Sequence, residues 1–243
     1  MTANDSAPAP DVSPLPAAFE ERLARVEARI AAACDQAGRR REEVRLLAVS
    51  KGHGPAAIRE AAEAGVIHFG ESKVQEARVK IPAAAGHLHW HLVGHLQTNK
   101  IKYAVPLFET VHSVDSLKVL QALNQGATTV GRTLQVFLEV NVAGDASKYG
   151  LAPDDVPSVL EAATHCLALE VVGLMTLPPF SADPEKARPH FARLRRLRDQ
   201  WRHDSGFPLD DLSMGMSHDL EVAIKEGATW VRVGTDLFGA RTR

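Results

Sequence analysis

The stretch Arg45-Leu46-Leu47-Ala48-Val49-Ser50, a helical pattern near 55–64 that ends at Gly65, and then Ile67-His68-Phe69 together decide the fold. A short apolar run bounded by turn signals reads as a buried strand, and the longer Ala-rich segment reads as a helix. The unit recurs to the C-terminus. With 45–50 and 67–69, strands are predicted at 89–93, 108–113, 134–142, 170–175, 211–213 and 230–233, with helices near 72–81, 97–104, 115–125, 153–166, 184–203 and 218–226. Asp115 and Asp183 are placed to cap helix starts, and Gly227 to end a helix. Such alternation requires parallel strands joined by crossover helices, and eight units in 243 residues suit an α/β fold of the (β/α)8 TIM-barrel type. Upstream, Leu23, Val26, Ile30 and Ala33 share one face of an extra N-terminal helix over 19–37, which Gly38 ends. A doubly wound open sheet is the alternative. It would have fewer strands and a glycine-rich first turn, whereas Ser50-Lys51-Gly52-His53-Gly54 lacks the G-x-G-x-x-G spacing.

Composition narrows the function classes. The chain is 45% hydrophobic and 24% charged, and 28 basic against 30 acidic residues leave a net charge of −2, which names neither nucleic acid nor a membrane surface as partner. Two cysteines, Cys34 and Cys166, build no disulfide framework, so a reducing, cytoplasmic setting is expected and both read as structural. No apolar run reaches the ~20 residues of a membrane-spanning helix. Residues 1–18 lack the basic and apolar regions of a secretory signal and carry Pro8, Pro10, Pro14 and Pro16, which predicts a disordered tail ahead of a barrel over 19–243.

In such barrels the active site lies at the C-terminal strand ends. Lys51 follows the first strand directly, and a desolvated lysine there could form a Schiff base; a lysine snorkelling into solvent is the alternative. After strands seven and eight come Ser213-Met214-Gly215-Met216-Ser217 and Arg232-Val233-Gly234-Thr235, whose small residues and hydroxyls suit an anion at the fold's recurrent phosphate address. His87, His89 and His91 share one strand face with His95 nearby, but no second ligand cluster with metal spacing accompanies them. Phe191, Leu194, Leu197 and Trp201 form a helical stripe, leaving the arginines around them as a solvated face.

Several segments in one order resemble the pyridoxal phosphate (PLP) homeostasis proteins, relatives of the barrel half of alanine racemase. They are Leu47-Ala48-Val49-Ser50-Lys51, Phe69-Gly70-Glu71, Trp90 through Lys100, Gly173-Leu174-Met175, Leu212 through Ser217 with Asp219, and Val231-Arg232-Val233-Gly234-Thr235 with Phe238-Gly239. The resemblance implies a single-domain, fold type III barrel with PLP as an internal aldimine on Lys51. It implies that Ser217, Gly234 and Thr235 hold the phosphate and that Arg232 faces the ring nitrogen. Met214, Gly215, His91 and Ser72 complete the implied cofactor set, with Ser72 standing where the family commonly has asparagine. A permanent cation at the ring nitrogen weakens the ring as an electron sink. Tyr103 and Tyr149, the two tyrosines, do not stand in the context of the racemase acid/base. The expectation is a PLP carrier and regulator of vitamin B6 and amino-acid pools without robust turnover. PLP-dependent apoenzymes are the candidate recipients, and the chain is expected as a monomer or weak homodimer. A fold type III amino-acid racemase is the alternative. A Schiff-base aldolase for phosphorylated sugars and a metal-dependent hydrolase are more distant readings.

Overall fold

The computed structural model describes residues 18–239, so the expected tail lies outside the described residues except for Ala18. The elements run α1 (Phe19–Gln36), β1 (Arg45–Val49), α2 (Pro55–Glu63), β2 (His68–Glu71), α3 (Val74–Ala83), β3 (His89–Leu92), α4 (Ile101–Ala104), β4 (Thr110–Val114), α5 (Leu117–Thr129) and β5 (Leu134–Glu139). They continue with α6 (Val156–Ala163), β6 (Leu169–Met175), α7 (Arg188–Ser205), β7 (Asp211–Met216), α8 (Leu220–Lys225), β8 (Trp230–Val233) and α9 (Thr235–Phe238). The strands form a closed barrel in chain order. Parallel pairing of β1 with β8 shuts it, with Leu47 opposite Arg232 and Ala48 opposite Val233. The expected (β/α)8 architecture is therefore present.

Two apolar layers hold it together. Between sheet and helices lie Ile30, Phe69, Phe108, Leu120 and Phe191, all fully buried; each such side chain contributes about 1.5–3 kcal/mol of transfer free energy. Inside the barrel Leu47, Phe137, Met175 and Trp230 form a smaller cluster flanked by Val93 and Val172. The α7 stripe is buried at Phe191, Leu194 and Trp201, and both cysteines are buried thiols.

Two strands run further than their sequence suggests. β2 continues through Gly70 and Glu71, and β7 through Met214, Gly215 and Met216. A glycine ordinarily signals a turn, but these are demanded by packing. A Cβ on Gly70 would press on Val49 and Leu47, and Gly215 combines φ +90° with an approach that would bring its Cβ within 2.5 Å of the Cβ of Ala223.

Helix α1 is not a loose appendage. Its buried residues Phe19, Val26 and Ile30 belong to the outer core, and Arg22 donates to the Leu237 carbonyl at 2.6 Å, tying α1 to α9.

Candidate functional site

The end of β1 is anchored on both sides of Lys51. The hydroxyl of Ser50 donates to Glu71 Oε1 at 2.6 Å. Lys80, reaching in from α3, donates to the Ser50 carbonyl at 2.9 Å, to Glu71 Oε1 at 2.8 Å and to Glu76 Oε2 at 3.1 Å. The Gly52 N–H donates to Glu76 Oε2 at 2.9 Å. Both neighbours of Lys51 are thus fixed by one ionic cluster, buried at Glu71 and Lys80 and partly exposed at Glu76. Burial raises the Glu71 carboxyl above its ordinary range against the hydrogen bonds from Lys80 and Ser50, and Glu71 Oε2 has no hydrogen-bond partner among the described residues.

Lys51 lines a cavity of about 480 Å³ at the C-terminal mouth together with Ser72, Ser217, Arg232, Gly234 and Thr235. These six expected site residues come from strands one, two, seven and eight, and the fold brings them to one place. His53, Val93, Leu177 and Phe180 complete much of the wall. The corner formed by Ser217, Gly234 and Thr235 is braced by further hydrogen bonds and ion pairs. Met216 N–H donates to Asp219 Oδ1 at 2.7 Å. Arg29 of α1 donates to the Ser217 carbonyl at 2.8 Å and pairs with Glu221 at 2.6 Å and Asp236 at 2.5 Å, so two carboxylates beside this corner are neutralised.

Arg232 rises from β8 into the barrel centre and is 5% exposed. It donates to the Ser213 carbonyl at 2.6 Å, the Ser213 hydroxyl at 2.7 Å and the Thr176 carbonyl at 2.9 Å. Burial draws its pKa down to about 10 while Asp219 and Glu139 oppose, so it remains a cation at neutral pH. Glu139, which ends β5, is lifted to about 7 by burial and by the charge of Asp115, with Arg232 pulling the other way. In the sequence Glu139 is marked only as the lone acid inside the largely apolar run 134–142.

Three of the expected site residues do not line this cavity. Met214 is fully buried in the outer core, because its place in β7 turns it toward the helices. Gly215 packs on α8. His91 points into the barrel but is covered, bonding His68 and His112 instead of lining the cavity. His89 is half-exposed against Glu109, and no group of three or more His, Cys, Asp or Glu among the described residues is arranged to hold a metal. Tyr149 stacks on His95 at 3.8 Å and Tyr103 sits between Arg78 and Lys102; neither lines the cavity.

An amine, an anion corner of hydroxyls and small residues, and a fixed cation around one cavity fit a phosphorylated aromatic aldehyde such as PLP.

The family profile described as "Alanine racemase, N-terminal domain" matches residues 22–242. A pyridoxal phosphate homeostasis protein of Pseudomonas aeruginosa is 48% identical over 91% of this chain and 95% of its own length. The Aquifex aeolicus protein of that name is 43% identical over 91% of this chain and 97% of its own. The structure of PipY from Synechococcus elongatus PCC7942 with PLP bound superposes with a TM-score of 0.81 at 37% identity, covering 91% of this chain and all of that one.

Proposed function

The chain belongs to the pyridoxal phosphate homeostasis proteins, built on the alanine racemase N-terminal domain, and from that premise we propose that it holds PLP on Lys51 and serves PLP and amino-acid homeostasis. The observation that carries this reading is the convergence of Lys51, Arg232 and the Ser217, Gly234 and Thr235 corner on one cavity. PLP supplies an aldehyde with which an amine condenses, with loss of water. Lys51 offers that amine from a backbone clamped at Ser50 and Gly52. The hydroxyls of Ser217 and Thr235 and the close backbone at Gly234 receive the phosphate, with Arg29 cancelling the carboxylates beside them. Ser72 stands at the rim with a shorter reach than the family's asparagine.

Arg232 brings an undiminished positive charge to the cavity floor, which disfavours a protonated ring nitrogen and therefore carbanion chemistry. No tyrosine lines the cavity to act as an acid or base on its far side. Holding and releasing PLP, rather than turnover, suits these groups. Two buried free thiols suit the reducing cytoplasm, where PLP-dependent apoenzymes would be the recipients.

The test is spectroscopic. Protein incubated with PLP should turn yellow, borohydride should leave a pyridoxyl group on Lys51, and Lys51→Ala should abolish both. A wild-type protein that stays colourless overturns the reading. Appearance of D-amino acids in a chiral assay would favour the racemase alternative.

A further inference from the structure

Beneath the cavity, the barrel core contains a line of polar side chains where apolar packing would be ordinary. Arg232 Nη1 donates to Ser213 Oγ at 2.7 Å, and Ser213 Oγ lies 2.8 Å from His112 Nδ1. His112 Nε2 is 3.0 Å from His91 Nδ1, and His91 Nε2 is 3.2 Å from His68 Nδ1. The line draws on β8, β7, β4, β3 and β2 and descends to the opposite end of the barrel. There His68 stacks on His89, which pairs with Glu109. Phe137 stacks on His112 at 4.2 Å, and Trp230 lies edge-on to His68, so the line is walled by rings.

Its direction follows from elementary chemistry. A guanidinium only donates, so Ser213 Oγ accepts from Arg232. The buried Ser213 hydrogen then needs an acceptor, and the one in reach among the described residues is His112 Nδ1. Burial keeps His112 and His91 far below their ordinary pKa and pushes His68 down to about 4, so each ring is neutral with one hydrogen. That hydrogen must be on Nε2 of His112, then of His91, then of His68. Because arginine cannot accept, the line passes no proton to the cavity.

We propose that Ser213, His112, His91 and His68 are positioning residues for Arg232, forming a one-way hydrogen-bond chain whose acceptor ends all point at the guanidinium and hold it on the cavity floor. Arg232 has no carboxylate in contact among the described residues, so this polarised chain and two backbone carbonyls take the place of a counter-ion. The proposal rests on the PLP reading of the cavity for its consequence but not for its geometry, and the two are separable by experiment.

In protein without PLP, side-chain 15N spectra should show His112, His91 and His68 protonated at Nε2; an Nδ1-protonated His112 overturns the chain whether or not PLP binds. In protein loaded with PLP, His112→Phe keeps the ring packing and cuts the chain, so PLP should leave roughly tenfold faster and the bound absorption should shift. His112→Gln, which keeps one donor and one acceptor, should restore most of both. If His112→Phe does not fold, Ser213→Ala cuts the next link and takes its place. Unchanged release and absorption in the cut variant, with PLP bound normally by wild type, overturn the proposal. A wild type that binds no PLP overturns the cavity reading alone.

Discussion

Lys80 Nζ lies 2.9 Å from the carbonyl oxygen of Ser50, so a lysine of α3 grips the backbone one residue before Lys51. The same ammonium neutralises Glu71, whose side chain is fully buried. Removing one partner of a buried pair leaves the other charge uncompensated, at about 3–5 kcal/mol. Lys80→Met should lose stability on that scale in chemical denaturation, and pairing it with Glu71→Leu should return much of the loss. A Lys80→Met protein as stable as wild type would show that the pair is dispensable.

Glu139 gives the stability a pH dependence with a definite sign. Its folded pKa of about 7 exceeds the ordinary 4.5, so its contribution is present below about pH 4.5 and is lost as pH rises through about 7. The loss is about 3 kcal/mol. His68, pushed down to about 4, and His91 and His112, held well below their ordinary value, act with opposite sign in an overlapping window, so the Glu139 contribution is read by comparison with a variant. Glu139→Gln keeps the neutral form throughout. Its stability relative to wild type should climb between about pH 5 and pH 7 and then level off; parallel curves for the two proteins would rule this assignment out.

On the proposed reading, Arg29 makes the corner at Ser217 and Thr235 hospitable to a phosphate. Arg29→Met leaves Glu221 and Asp236 as uncompensated carboxylates near Ser217 and Thr235. Inorganic phosphate should then protect the protein against thermal unfolding less well, and PLP should dissociate several-fold faster. Equal protection in both proteins would mean that the corner does not feel those charges.

Two glycine substitutions should part company. A Cβ on Gly94 would fall 2.2 Å from the Ser72 carbonyl oxygen, whereas one on Gly54 meets nothing within 4 Å among the described residues. Gly94→Ala must displace Ser72 at the cavity rim, so it should lower the melting temperature and disturb the bound PLP spectrum. Gly54→Ala should stay within about 1 kcal/mol of wild type by the same measurements.

The strand order was legible because each apolar run is short and each crossover helix is long enough to make parallel pairing the simple outcome. The strand ends were less so. Gly70 and Gly215 look like turn residues in one dimension and turn out to be places where layers approach too closely for a side chain. Lys51, Arg232 and Thr235 could be placed at the mouth because they follow or end strands. Met214 could not, since alternate residues of a strand face opposite layers and one bulge in β7 changes which. The inner polar line was invisible for another reason: His68, His91, His112 and Ser213 are scattered over the chain and meet only through the closed barrel.

The β1 to β8 pairing sets a schedule for the protein's synthesis. Lys51 emerges from the ribosome well before Arg232, Gly234 and Thr235, yet Leu47 and Arg232 are neighbours across the closing seam. No partial chain can offer both halves of the cavity. On the proposed reading, PLP gripped by Lys51 on one side and Gly234 and Thr235 on the other is a clasp over that seam, and it can close only after both β1 and β8 have been made.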